Sequence, residues 1–132
     1  MTDILQGLVA YIEANVTAAG KGYPLEVPQD ANYPAWSYEL VDDERLIAHD
    51  GKTSYSKARI QIDVMDDADA THSGYYNTRT ATLALRNALD GFSGNLGGVT
   101  VEFCKTSVSD GLADAHNLPY ESFDAMIQYL IQ

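Results

Sequence analysis

The period of the apolar positions changes several times along this chain, and each change marks an element. Ile4, Leu5, Leu8, Val9, Ile12 and Val16 recur at helical spacing, which predicts an amphipathic helix over residues 3–18 capped by Thr2 or Asp3. AAGKG follows, with Gly20 and Gly22 suited to a left-handed exit. Pro24, Pro28 and Pro34 then forbid a helix and favour an extended path of the kind found at a sheet edge. Alternation begins at AWSYELVDDE, which sets Trp36, Tyr38 and Leu40 against Ser37 and Glu39. It is clearest in SYSKARIQIDVMD, where Ala58, Ile60, Ile62 and Val64 face one way and Arg59, Gln61 and Asp63 the other. The stretch between them, VDDERLIAHDGKTS, reads as a polar loop with a turn signal at Asp50-Gly51.

Helical spacing returns from Ser73 to Leu89. Tyr76, Thr80, Leu83 and Ala84 form one stripe, Leu85, Ala88 and Leu89 widen it, and Gly91 stands as the stop. SGNLGG is a turn, and VTVEFCKTSVS alternates with Val99, Val101 and Phe103 inward. A loop with Asp110-Gly111 and Pro119 leads to SFDAMIQYLI, where Phe123, Ala125, Ile127, Tyr129 and Ile131 line one side. The predicted order is α-β-β-β-α-β-β. Short loops and half-buried strands point to an α+β fold, an antiparallel sheet with two helices packed on one face. No internal repeat or boundary divides residues 1–132, so a single domain is expected.

At 132 residues the chain can bury a core without disulfides or structural metal. Its net charge is −11, with five basic against 13 acidic residues in the first 70. Such a surface does not grip DNA or an anionic membrane by charge. Cys104 is the only cysteine, which excludes an internal disulfide. No apolar run approaches the roughly 18 residues that span a bilayer. The opening MTDILQGLVAYIEANV has no basic segment of the secretory kind. The expectation is a soluble protein of a reducing cytoplasm.

The acidic run of Asp63, Asp66, Asp67 and Asp69 raises the question of a metal cage. A calcium loop of the EF-hand kind needs glycine at its sixth position and glutamate at its twelfth. Counted from Asp67 these are His72 and Thr78, and the other starting points fit no better. The run therefore reads as a strand-to-helix turn, with Asp69, Thr71 or Ser73 available as a cap. His49, His72 and His116 fall in separate loops, and Cys104 lacks a CxxC partner. GNLGG lacks the lysine and following hydroxyl of a phosphate loop, and neither GxSxG nor HExxH occurs. No catalytic residue, cofactor site or metal site emerges. Trp36 and Tyr38 read as core packing on an alternating strand. Loop 42–53 is different, because Leu46 and Ile47 stand in it among Asp42, Asp43, Glu44, Arg45 and Asp50. Apolar residues flanked by charge suit a contact surface, and these seven are the candidate interface residues.

Taken together, VPQDANYPAWSYELVDD, a variable loop ending in DG, ARIQIDVMDDAD and a helix closing on LRNALDG resemble the tail-completion, or tail-terminator, proteins of long-tailed bacteriophages and prophages. The resemblance covers nearly the whole chain and is sharpest in YPAWSYELV, IQIDVM and ALRNALDG; Met65 stands where relatives often carry tryptophan. It implies a non-enzymatic virion protein. Such proteins form a ring, typically of six copies, that caps the tail tube, ends its growth and docks the head connector. Expected partners are a second copy, the tail tube protein and the neck protein, with DNA passing the acidic lumen unbound. The expected places are the host cytoplasm during assembly and then the virion tail. The alternatives are another neck component such as a head–tail adaptor, a tube protein, or an acidic inhibitor that mimics DNA.

Overall fold

The structure is a computed structural model that describes residues 3–25, 27–28, 35–47, 53–65, 73–113 and 119–131. Its elements run α1 (Ile4–Asn15), a short 3-10 turn (Thr17–Ala19), β1 (Lys21–Pro24), β2 (Ala35–Ile47), β3 (Thr53–Met65), α2 (Ser73–Leu89), β4 (Gly94–Leu96), β5 (Val99–Ala113) and β6 (Pro119–Leu130). The six strands form one sheet in the order β1-β2-β3-β6-β5-β4.

The fold is α+β, as the pattern predicts, but the sheet is mixed. β1 pairs parallel to β2, Lys21 opposite Ala35 through Pro24 opposite Tyr38. The segment between them is long enough to bring the chain back to the same end of the sheet, which a tight hairpin cannot do. The expected element order also changes. SGNLGG is more than a turn, because Gly94–Leu96 pairs with Val99–Val101 as a short hairpin. Asn95 Oδ1 accepts the Gly98 N–H at 2.7 Å and closes it.

Alternation in β3 sorts the sheet into two faces. Ala58, Ile60, Ile62 and Val64 are buried, as are Phe123, Ala125 and Ile127 of β6. They share one core with Ile4, Leu8 and Ile12 of α1 and Ala81, Leu85 and Leu89 of α2. Asp3 caps α1 through its own carboxylate, which accepts the Leu5 N–H at 3.0 Å, while Gln6 reaches back to the Asp3 N–H at 3.2 Å. Trp36 is fully buried and donates from Nε1 to the Gly20 carbonyl at 3.3 Å. It is core, as its strand position predicts.

Three expectations are corrected in detail. Gly20, with φ 73°, ends the 3-10 turn rather than α1, which stops at Asn15 with Val16 as its cap, and Gly22 is a strand residue pressed against the Trp36 ring, where a Cβ would lie 2.4 Å from Cζ2. In α2 the buried stripe is Thr78, Ala81, Thr82, Leu85 and Leu89, while Leu83 points out. Thr82 tolerates burial because its hydroxyl donates to the Thr78 carbonyl at 2.9 Å. In β5 the register shifts between Val101 and Phe103, so Cys104 takes the inward place and Phe103 is exposed. One extra residue in a strand moves every later side chain to the opposite face.

Candidate functional site

The candidate interface residues lie along the second half of β2. Asp42, Asp43, Glu44, Arg45, Leu46 and Ile47 are strand, not loop: β2 runs to Ile47 and β3 starts at Thr53. The polar composition hid the pairing, which comes from the partner strand rather than from local propensity. Asp50 lies outside the described residues.

Register fixes which side each of these residues takes. Leu40 stands opposite Ile60, and Asp42 opposite Arg59, so Val41 is the extra residue of a bulge. Beyond it Asp42, Glu44 and Leu46 share the open face of the sheet, opposite Arg59, Lys57 and Tyr55, while Asp43 and Arg45 share the helix side, opposite Ala58 and Ser56. Glu44, Arg45 and Leu46 are all exposed, whereas Ser56, opposite Arg45, is fully buried.

Cross-strand rows on the open face alternate charge. Asp42 faces Arg59, and Arg59 donates from Nη2 to Asp124 of β6 at 2.8 Å. Glu44 faces Lys57, and Lys57 faces Gln128. The arm ends in an apolar row, Leu46 opposite Tyr55 and Tyr55 opposite Leu130. Leu46 therefore does not fold back onto the core. A half-exposed pair such as Arg59–Asp124 contributes about 0–1 kcal/mol, so this face is patterned without being locked.

On the helix side one residue ties the arm down. Asp43 accepts a hydrogen bond from the Tyr129 hydroxyl at 2.8 Å and another from Ser56 Oγ. Ser56 Oγ also lies 3.2 Å from the Glu44 carbonyl. Burial first, and then the hydrogen bond to the Asp43 carboxylate, push the Tyr129 hydroxyl above its ordinary pKa, so it stays a donor at neutral pH. Composition does not single out Tyr129 or Ser56. The signal that could have found them is their inward phase on β6 and β3.

The other candidates settle differently. Asp63 sits on the open face as predicted and accepts from Ser122 Oγ and, at 3.3 Å, from Gln61 Nε2. Asp66, Asp67, Asp69, His49, His72 and His116 lie outside the described residues. Among the described residues no three His, Cys, Asp or Glu side chains gather at a metal-binding spacing, and no helix is long and apolar enough to cross a membrane. Cys104 is a free, buried thiol whose pKa is pushed up to about 12, first by burial and then by the Asp90 carboxylate. A thiol so protonated is not a nucleophile.

The sheet edges differ in how they are covered. The Gly22 N–H of β1 meets Glu13 Oε2 at 3.1 Å. On β5 the Cys104 carbonyl accepts the Gly91 N–H at 2.8 Å, and the Thr106 N–H donates to Asp90 Oδ1 at 2.6 Å. The residues just past α2 thus cover that edge at Cys104 and Thr106. β1 covers β2 only from Ala35 to Tyr38, and Leu25 N–H adds one bond to the Tyr38 carbonyl at 2.9 Å. Among the described residues no strand pairs with the outer side of residues 39–47. Compared with models of known protein families and with curated proteins, the chain matches none.

Proposed function

We propose that this chain is a structural subunit of a phage or prophage tail, assembling as a ring that ends the tail tube and receives the head connector. The observation that carries the reading is the β2–β3 arm, where Glu44, Arg45 and Leu46 are exposed and Leu46, Tyr55 and Leu130 form an apolar row across three strands. A monomer gains nothing from such an arm, whereas a ring repeats one contact around its axis and uses it at every junction. The motifs that resemble tail terminators lie in the other half of the same strand pair, AWSYELV opening β2 and IQIDVM closing β3. The chemistry is that of a scaffold. The charge of −11 suits a passage through which DNA slides without sticking.

The test replaces Leu46 and Ile47 with serine. The monomer is expected to remain folded, while tails lacking native protein fail to end at a fixed length or to join heads. Electron micrographs of tails made with and without the protein give the readout. Infectious particles from the double variant would remove the arm from the mechanism. Tail ends without rings would overturn the terminator reading. Normal tails together with a salt-sensitive complex with a basic enzyme would favour the DNA mimic instead.

A further inference from the structure

We propose that the edge of β2 at residues 39–47, with which no described strand pairs, takes up an extended segment of a partner protein as an added strand, and that this segment alternates basic with apolar residues. The inference rests on reading the chain as an assembly protein, and it specifies how and with what the arm makes contact.

A bare strand edge presents a row of unpaired N–H and C=O groups, and proteins usually cover such edges. Among the described residues Glu13 bonds the β1 edge at Gly22 and Asp90 and Gly91 bond the β5 edge at Thr106 and Cys104, while no strand pairs with the outer side of residues 39–47 of β2. Charge and a bulge also repel unwanted strands, so the acids here have a protective reading. The apolar residues along the same edge do not fit protection alone. Val41 is 48 % exposed, Leu40 38 % and Leu46 37 %. Leu25, at the point where β1 leaves the edge, is 72 % exposed and holds φ 67°, a conformation costly for a leucine. A strand that serves only to repel does not require exposed leucines beside it.

Register then dictates the partner. Glu39, Asp42 and Glu44 stand on the open face opposite Gln61, Arg59 and Lys57, while Leu40 stands on the helix side opposite Ile60. Side chains of an added strand alternate in the same way. One of its faces meets three carboxylates; the other meets Leu40, Asp43, which is already bonded to Tyr129 and Ser56, and Arg45. Lysine or arginine at every second position satisfies the first, and an apolar residue beside Leu40 the second. A second copy of β2 does not, because antiparallel pairing about Asp43 would set acid against acid, and like charges directly opposite are unfavourable. The β5 edge of another copy does not either at Cys104 and Thr106, whose backbone groups are already bonded.

The probe is a nine-residue peptide alternating lysine and valine, set beside its glutamate–valine counterpart and a version with proline at alternate positions. Backbone amide exchange of the whole protein is followed by NMR. The expected result is saturable binding of the lysine peptide alone, with slowed exchange confined to residues 39–47. The Asp42→Lys, Glu44→Lys double variant is expected to weaken the lysine peptide by at least about tenfold and to favour the glutamate peptide instead. A reversed preference cannot come from a misfolded variant. No saturable binding, equal binding of both peptides or protection elsewhere overturns the proposal. So does protection of 39–47 that rises with protein concentration in the absence of peptide, which would assign the edge to a second copy. Because the peptide assay needs no ring, rings on tail ends with a negative peptide result would sink strand addition and leave the tail function standing.

Discussion

The Cys104 thiol makes the stability of this protein depend on alkaline pH in a calculable way. The side chain is buried in β5 with its pKa near 12, against about 8.5 for cysteine in an unfolded chain. Folding therefore holds the proton more tightly than the unfolded state does. The stabilisation is fully present below pH ~8.5 and is lost as pH rises toward 12, because only the unfolded chain gains by ionising. Between pH 9 and 10.5 linkage gives a loss of about 2 kcal/mol from this single group. Urea unfolding at a series of pH values measures it. Tyrosines and lysines titrate in the same range, so the informative quantity is the difference between the native chain and Cys104→Ala. The variant begins less stable, by about 1 kcal/mol for the small cavity, and the native chain should fall toward it and then below it. A difference that stays flat from pH 9 to 10.5 would refute the argument and mean that solvent reaches the thiol.

Two further outcomes follow from packing and hydrogen bonding. Gly22→Ala places a Cβ within 2.4–2.8 Å of three Trp36 ring atoms, and overpacking against a buried ring costs about 1–3 kcal/mol. Gly91→Ala meets nothing within 4 Å and bears only the strain of φ +74°, worth about 1–2 kcal/mol. Thermal unfolding should show indole fluorescence perturbed in the native state of the first variant and unchanged in the second. Tyr129→Phe removes the donor to Asp43 and should cost about 1 kcal/mol. It should also speed amide exchange in residues 42–47 more than in α1. Uniform acceleration would show that the Asp43 bond does not hold the arm in particular.

Where the pattern was strong, the sequence read correctly. Ser73–Leu89 is a helix at the predicted ends, because spacing at its start and glycine past its stop are local signals. The inward set of β3 is also as predicted, since a strand between two neighbours must bury one alternate set. Errors fell where a distant partner overrides the local signal. Residues 42–47 look like loop because they are charged, yet β3 supplies their hydrogen bonds. Phe103 looks like core because it is aromatic and in phase, yet one bulge residue turns it outward. The stripe of α2 was misplaced because Thr78 and Thr82 fill inward positions that hydropathy alone assigns to leucine.

Sequence by itself determined the class of fold and the acidic balance, both of which depend on composition and nearest neighbours in the chain. Only the tertiary structure decided that β1 runs parallel to β2, that Asp90 and Gly91 bond the β5 edge at Thr106 and Cys104, and that among the described residues no strand pairs with the outer side of β2 beyond Tyr38. Those outcomes depend on which backbone groups meet across the sheet. Every residue except proline carries the same donor and acceptor, so side-chain identity does not encode which of them find partners.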